Sequence, residues 1–426
     1  MKVAIPFGDS VLYTEIPGRR VKATLVSKFH ELKSDLPQAE IVKQALASPI
    51  GTAGLAELAK GKKKVLVITA DHTRPVPSRI TLPPILAALR RGQPDADITI
   101  LIATGCHRAM TEAEMRERFG DAVYDRERFV VHDGADEGAL VKIGTLPSGG
   151  ECIINRLVVE SDLVVSEGFI EPHFFAGYSG GRKAVLPGSA SRATVLANHC
   201  AEFIASPKAR TGILDGNPIH ADMIYAAREA NMAFILNVVL DGDKKIVAAF
   251  AGDTDAAHRA GCDFVGRHVL VKAAPADIVV TSNNGYPLDQ NVYQAVKSMT
   301  AAEASCRKGG VIICACECRD GHGGQDFADT FKEIPTARGV MDQILSRSRA
   351  ETEPDQWQIQ IFCRVLMHAT VIMITGPGAP REMIEKLNMK WAATLDEAMR
   401  MAEEIVGKPD AEVTIIPDGI GVIVEE

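Results

Sequence analysis

No stretch of this sequence approaches the roughly 18 consecutive apolar residues that a bilayer-spanning helix needs. The opening MKVAIPFGDS also lacks the charged-then-apolar pattern of a secretion signal, so no membrane partner is expected and the cytoplasm is the expected address. A basic excess is missing as well. Against 47 basic side chains stand 55 acidic ones, a formal charge of -8, which argues against a broad nucleic-acid face and means that a small anionic ligand would need local cations. There is no repeat of fixed period and no low-complexity tract. The nine cysteines, at 106, 152, 200, 262, 306, 314, 316, 318 and 363, are odd in number and show no secreted-domain framework. Reduced thiols are expected. Cys314, Cys316 and Cys318, with His322 close behind, have the look of a metal site. In GGVIICACEC, however, residues two apart share one strand face, and buried cysteine is an ordinary apolar filler there.

What is present is the balance of a soluble globular chain, with 46% hydrophobic and 24% charged residues. A length of 426 residues exceeds what one compact core usually serves, so two domains are expected. β-rich runs (KKVLVITA, DITILIATG, RFVVHD, DLVVSEGFI) alternate with helical stretches such as TLPPILAALRRG and TEAEMRERFG, the habit of an α/β fold. Thr111 and Glu114 stand at capping-box spacing, and DGDK marks a hairpin turn. After GRHVLVKAAPAD the alternation restarts with DIVVTSNNGYP and GGVIICAC. The reading is two α/β domains with an active-site cleft between them: an N-terminal domain over 1–270, on which the tail 408–426 packs back, and a C-terminal domain over 276–400.

Three strands of the first domain run into polar loops: Asp71-His72-Thr73-Arg74, His107-Arg108 and His173. In open α/β sheets ligands collect beyond the carboxyl ends of the strands, so such loops can converge on one pocket. Histidines move protons near neutrality and a guanidinium clamps a carboxylate, which together suit an acid substrate. Taken singly, Asp71 and Arg74 read as an ion-paired turn, and each histidine as a hydrogen-bonded structural residue. EPHFFAGYSGGRKAVLPG carries Gly177, Gly180 and Gly181, whose amides could approach an anion, beside Arg182 and Lys183. It is neither a Walker loop nor GxGxxG, and a flexible turn explains it nearly as well. A lysine there can also form a covalent bond to a carbonyl-type carbon. His107, His173 and His199 together allow a zinc reading. In the second domain Tyr293, Gln294 and Lys297 lie on a helix, with a solvated helix face as the plain alternative. Trp357, one of two tryptophans, lines a pocket mouth or merely packs.

The set DHTRP, GCHR, EPHFFAGYSGGRKAVLPG, ANHC and YQAVK resembles the lactate racemase family over nearly the whole chain. The resemblance implies a racemase or epimerase of a small 2-hydroxy acid (lactate, malate or similar), acting by reversible proton-coupled hydride transfer to a nickel-pincer nucleotide, nickel pyridinium-3,5-bisthiocarboxylic acid mononucleotide. It implies that Lys183 carries this group covalently, that His199 is the metal ligand to nickel, and that His107 and His173 are the acid–base pair. Arg74, Gln294 and Lys297 then hold substrate, with Tyr293 and Trp357 nearby, and Asp71 orients Arg74. The three glycines embrace the nucleotide. Cofactor-biosynthesis proteins are implied as loading partners, and a homo-oligomer is left open. A larger acid would need a further cation, for which Arg79, Arg108 and Arg319 are candidates. Two other readings compete: a zinc hydrolase on three histidines and a non-catalytic nickel or nucleotide carrier.

Overall fold

The computed structural model describes residues 1–29, 32–105 and 107–425. They fall into two compact units, one of Phe29–His199 and Ser206–Arg267, the other of Met1–Lys28, Cys200–Ala205 and His268–Glu426. Both are α/β, as the alternation predicts.

The first unit is built on a six-stranded sheet of β1 (Lys64–Ala70), β2 (Asp97–Ala103), β3 (Arg128–Val131), β4 (Leu163–Phe169), β5 (Met232–Leu240) and β6 (Ile246–Gly252), in the order β6-β5-β4-β1-β2-β3. All pairs are parallel except β5 with β6, which the turn after Leu240 joins as a hairpin. Strands covered on both faces read as continuous apolar runs; in β1 every residue from Val65 to Thr69 is buried, and in β4 all seven are. β1 leads outward to β2 and β3 on one side, while β4 and β5 lie on the other. The strand order therefore reverses between β1 and β4, and a crevice is expected at their carboxyl ends. Two helices flank the loops there. α1 (Ser78–Gly92) follows β1 and buries Leu82, Ile85, Leu86 and Leu89. α2 (Glu112–Phe119) follows β2 and opens with the Thr111–Glu114 capping box.

The second unit holds β7 (Ala276–Ser282), β8 (Cys306–Ala315), β9 (Thr370–Ile374), β10 (Lys390–Ala392) and β11 (Val413–Ile416), in the order β10-β9-β8-β7-β11, with Val21–Thr24 at the far edge, all parallel. This corrects the expected boundaries. The tail does not pack on the N-terminal domain: its four-residue strand VTII is fully buried beside β7, and residues 1–28 belong to this unit too. An apolar run shows that it must be covered, but not which sheet covers it. No helix among the described residues is long and apolar enough to cross a membrane.

Candidate active site

Asp71 directly follows β1 and is 1% exposed. Its Oδ2 lies 2.8 Å from His107 Nδ1, and its Oδ1 accepts from the Thr73 hydroxyl at 2.6 Å and the Thr73 amide at 3.1 Å. Burial pushes the Asp71 carboxyl up, but the hydrogen bonds and charge of His107 and the bonds from Thr73 outweigh it and leave the group below its ordinary value. An ionised carboxylate only accepts, so the His107 Nδ1 that faces it carries a proton. The His107 side chain is 43% exposed, within reach of a ligand. Arg74 is also exposed. Its Nη1 donates to the Thr73 hydroxyl at 3.1 Å and the Thr73 carbonyl at 3.3 Å, and among the described residues no carboxylate pairs with it. Asp71 thus holds His107 and Thr73 directly and reaches the Arg74 guanidinium only through the Thr73 hydroxyl.

The loop after β4 brings a second group together. His173 packs edge-on against Phe175 with ring centroids 4.5 Å apart, His199 meets the same ring at 5.1 Å, and Lys183 Nζ lies 5.9 Å from its centroid. His199 ends α3 (Arg192–Asn198) and is 5% exposed. Burial, and then the charge of Lys183, pull its pKa down to about 3, so the imidazole is neutral. That is the form that ligates a metal. His173 Nδ1 accepts the Ala176 amide at 3.3 Å. The Gly105 amide donates to the Gly188 carbonyl at 3.0 Å, joining the loop that bears His107 to the loop that bears Lys183.

The glycines answer to the fold. A Cβ on Gly177 would stand 2.4 Å from the Ile213 carbonyl oxygen, on Gly180 2.6 Å from Asn237 Oδ1, and on Gly181 2.8 Å from the His258 ring, and all three have positive φ. The Gly181 amide already donates to Asn237 Oδ1 at 2.7 Å. Arg182, expected to add charge toward an anion, is fully buried and braces the loop instead. Its donors reach His220 Nδ1 at 3.0 Å, His258 Nε2 at 3.0 Å, and the carbonyls of Gly180 and Ala176 at 3.2 and 2.8 Å.

In the second unit α4 (Val292–Glu303) begins at an Asn291 cap that accepts the Gln294 amide. Gln294 and Lys297 are half-buried on it. The Tyr293 hydroxyl donates to Asp355 at 2.9 Å and also bonds Trp357, at the start of α5 (Gln356–His368). This hydroxyl is thus engaged within the unit by Asp355 and Trp357. Cys314, Cys316 and Cys318 are wholly buried. The eight described cysteines are free thiols, and Cys106 lies outside the described residues. Among the described residues no three His, Cys, Asp or Glu side chains converge as a metal site, so the three-histidine zinc reading falls.

A family model of the lactate racemase N-terminal domain matches residues 7–212, and one of the C-terminal domain matches 271–424. A lactate racemase from Thermoanaerobacterium thermosaccharolyticum is 54% identical over 424 residues, covering 100% of this chain and 99% of that one. The chain belongs to the lactate racemase family. A second lactate racemase, from Lactiplantibacillus plantarum, is 50% identical over 99% of both chains. The apoprotein structure of the Thermoanaerobacterium racemase superposes with a TM-score of 0.96 at 54% identity and full coverage of both chains. A Thermotoga maritima protein, 21% identical, has a TM-score of 0.65 over 92% of this chain and 99% of that one, a likeness of fold alone.

Within this lactate racemase family member the donor set fits the group that the resemblance implies. A neutral buried imidazole stands ready as a metal ligand, and a lysine lies on the same aromatic ring. Three features escaped the sequence reading. Phe175 is the hub of the second cluster, and Thr73 links Asp71 to Arg74. Glu167, in the middle of a wholly buried strand, did leave a signal, since a carboxylate inside DLVVSEGFI cannot be ordinary filler.

Proposed function

We propose that this chain interconverts the enantiomers of lactate, with a nickel-pincer nucleotide attached covalently to Lys183 and nickel ligated by His199. The observation that carries the reading is the gathering of His173, Lys183 and His199 on the single ring of Phe175. When bound, the nucleotide supplies an acceptor and donor for the substrate's α-hydrogen. The chain's own residues do the rest. Arg74, with no carboxylate partner among the described residues, clamps the substrate carboxylate through two hydrogen bonds. Gln294 and Lys297, on the other unit, are assigned to substrate on the family resemblance. His107 takes the hydroxyl proton of one enantiomer at Nε2, the ring nitrogen that Asp71 does not hold, and His173 serves the other.

Lactate is favoured over a dicarboxylate because the three spare arginines are engaged elsewhere. Arg79 donates to the carbonyls of Glu117 and Arg116, Arg108 makes a two-pronged pair with Glu114, and Arg319 pairs with Asp9 and Glu317. The test uses protein from a host that makes the cofactor. A mass increment on the Lys183 peptide that disappears together with activity in Lys183→Ala is the expected result. A nucleotide-loaded protein that leaves every enantiopure 2-hydroxy acid unchanged would instead be a carrier.

A further inference from the structure

We propose that Glu167 is a positioning residue, holding both ends of the segment that carries Asp71 and Arg74 so that the substrate clamp is rigid before substrate arrives. This rests on the lactate reading above. Glu167 is 3% exposed in the middle of β4. Burying a carboxyl group is costly unless its oxygens are hydrogen-bonded. Here three hydroxyls do so: Thr69 Oγ1 donates to Oε1 at 2.5 Å, Ser78 Oγ to the same oxygen at 2.6 Å, and Thr81 Oγ1 to Oε2.

The origin of these donors carries the argument. Thr69 lies at the end of β1, two residues before Asp71, while Ser78 and Thr81 lie in the first turn of α1. The register that pairs Ile68 with Ser166 sets Thr69 alongside Glu167. One carboxylate on the neighbouring strand thus ties the entry and the exit of the segment 70–77, on which Asp71, Thr73 and Arg74 stand. A second observation points the same way. Among the described residues Arg118 on α2 buries its Nε and Nη2 without hydrogen-bond partners, and the charges it feels are those of Glu167 and Asp71. The guanidinium offsets both carboxylates under the segment. Stability alone does not require such an arrangement, because buried ionic groups are often replaced by apolar ones without loss. What it secures is one position of the segment.

A clamp that grips the carboxylate equally in ground and transition states acts on KM and not on kcat. Loaded Glu167→Gln and Thr81→Val proteins, with cofactor occupancy checked by intact mass, are therefore compared with the unaltered enzyme on L- and D-lactate. Glu167→Gln keeps the shape but replaces one accepting oxygen with a donating amide. It is expected to raise KM about five- to tenfold with kcat within about twofold and occupancy unchanged. Thr81→Val leaves the carboxylate in place and unties only the α1 end, with an expected rise of about two- to threefold; it carries the test if Glu167→Gln does not fold. An active unaltered enzyme with unchanged KM in the variants, or with kcat lost at constant KM, overturns the role of Glu167 alone. A fully loaded unaltered protein that is inactive on lactate overturns the functional reading, and this inference with it.

Discussion

Asp71 is buried to 1% exposure and is nonetheless held in its ionised form by what it grips. Its partner His107 is the more exposed of the two, so the carboxylate sets the ring's tautomer and direction without meeting substrate. Asp71→Asn keeps the shape but offers an amide that can donate to Nδ1, which turns the imidazole's proton to the wrong side. Turnover is expected to fall about 100-fold or more while the Lys183 mass increment is retained. Unchanged kcat would remove Asp71 from the proton path. The engaged arginines give a second expectation at this scale. With Arg79, Arg108 and Arg319 tied to their own partners, malate is expected to be turned over at least about 100-fold less efficiently than lactate, the loss typical of an unpaired buried charge. Comparable kcat/KM for the two acids would show an unrecognised cation in the pocket.

At the scale of elements, the loop after β4 owes its glycines to packing against its own unit. Gly177→Ala would set a methyl 2.4 Å from the Ile213 carbonyl at a φ of +79°. The apoprotein is expected to lose about 2–4 kcal/mol and several degrees of melting temperature. If melting is unchanged in the apoprotein and cofactor loading alone suffers, the glycine serves the ligand instead. Much of this level was legible in the sequence. The buried strands announce themselves as apolar runs, and α2 begins where Thr111 and Glu114 predict it, with Arg108 adding a pair to Glu114. Polar loops at the carboxyl ends of strands could be expected to meet, and those bearing Asp71 and His107 do. Partners were not legible. The sequence could not say that Asp71 turns to His107, that Arg182 is consumed by two histidines, or that the tail strand lies beside β7, because each depends on contacts between segments far apart in the chain.

Over the whole molecule, four buried histidines of the first unit are held neutral. Burial, first of all, lowers the pKa of His132, takes His199 and His220 to about 3, and puts His258 well below the usual imidazole range; Lys183 adds to the effect on His199, and Arg182 to that on the last two. The unfolded chain takes up these protons below about pH 6.5, whereas the folded chain refuses them. Stability is therefore expected to be fully present above that value and to fall as pH drops from about 6.5 toward 3, by up to about 1.4 kcal/mol per pH unit for each histidine. A urea midpoint for the apoprotein that stays constant between pH 7 and pH 5 would contradict this. Carboxylates held low, Asp71 among them, act only below about pH 4 and leave that window to the histidines.

The central claim, that these residues invert a 2-hydroxy acid, is tested most directly by chiral chromatography of lactate incubated with the cofactor-loaded protein. From pure L-lactate and from pure D-lactate the account predicts convergence on the same equal mixture, with no net loss of lactate. Enantiomers that remain as supplied while the Lys183 peptide carries its full mass increment would contradict it.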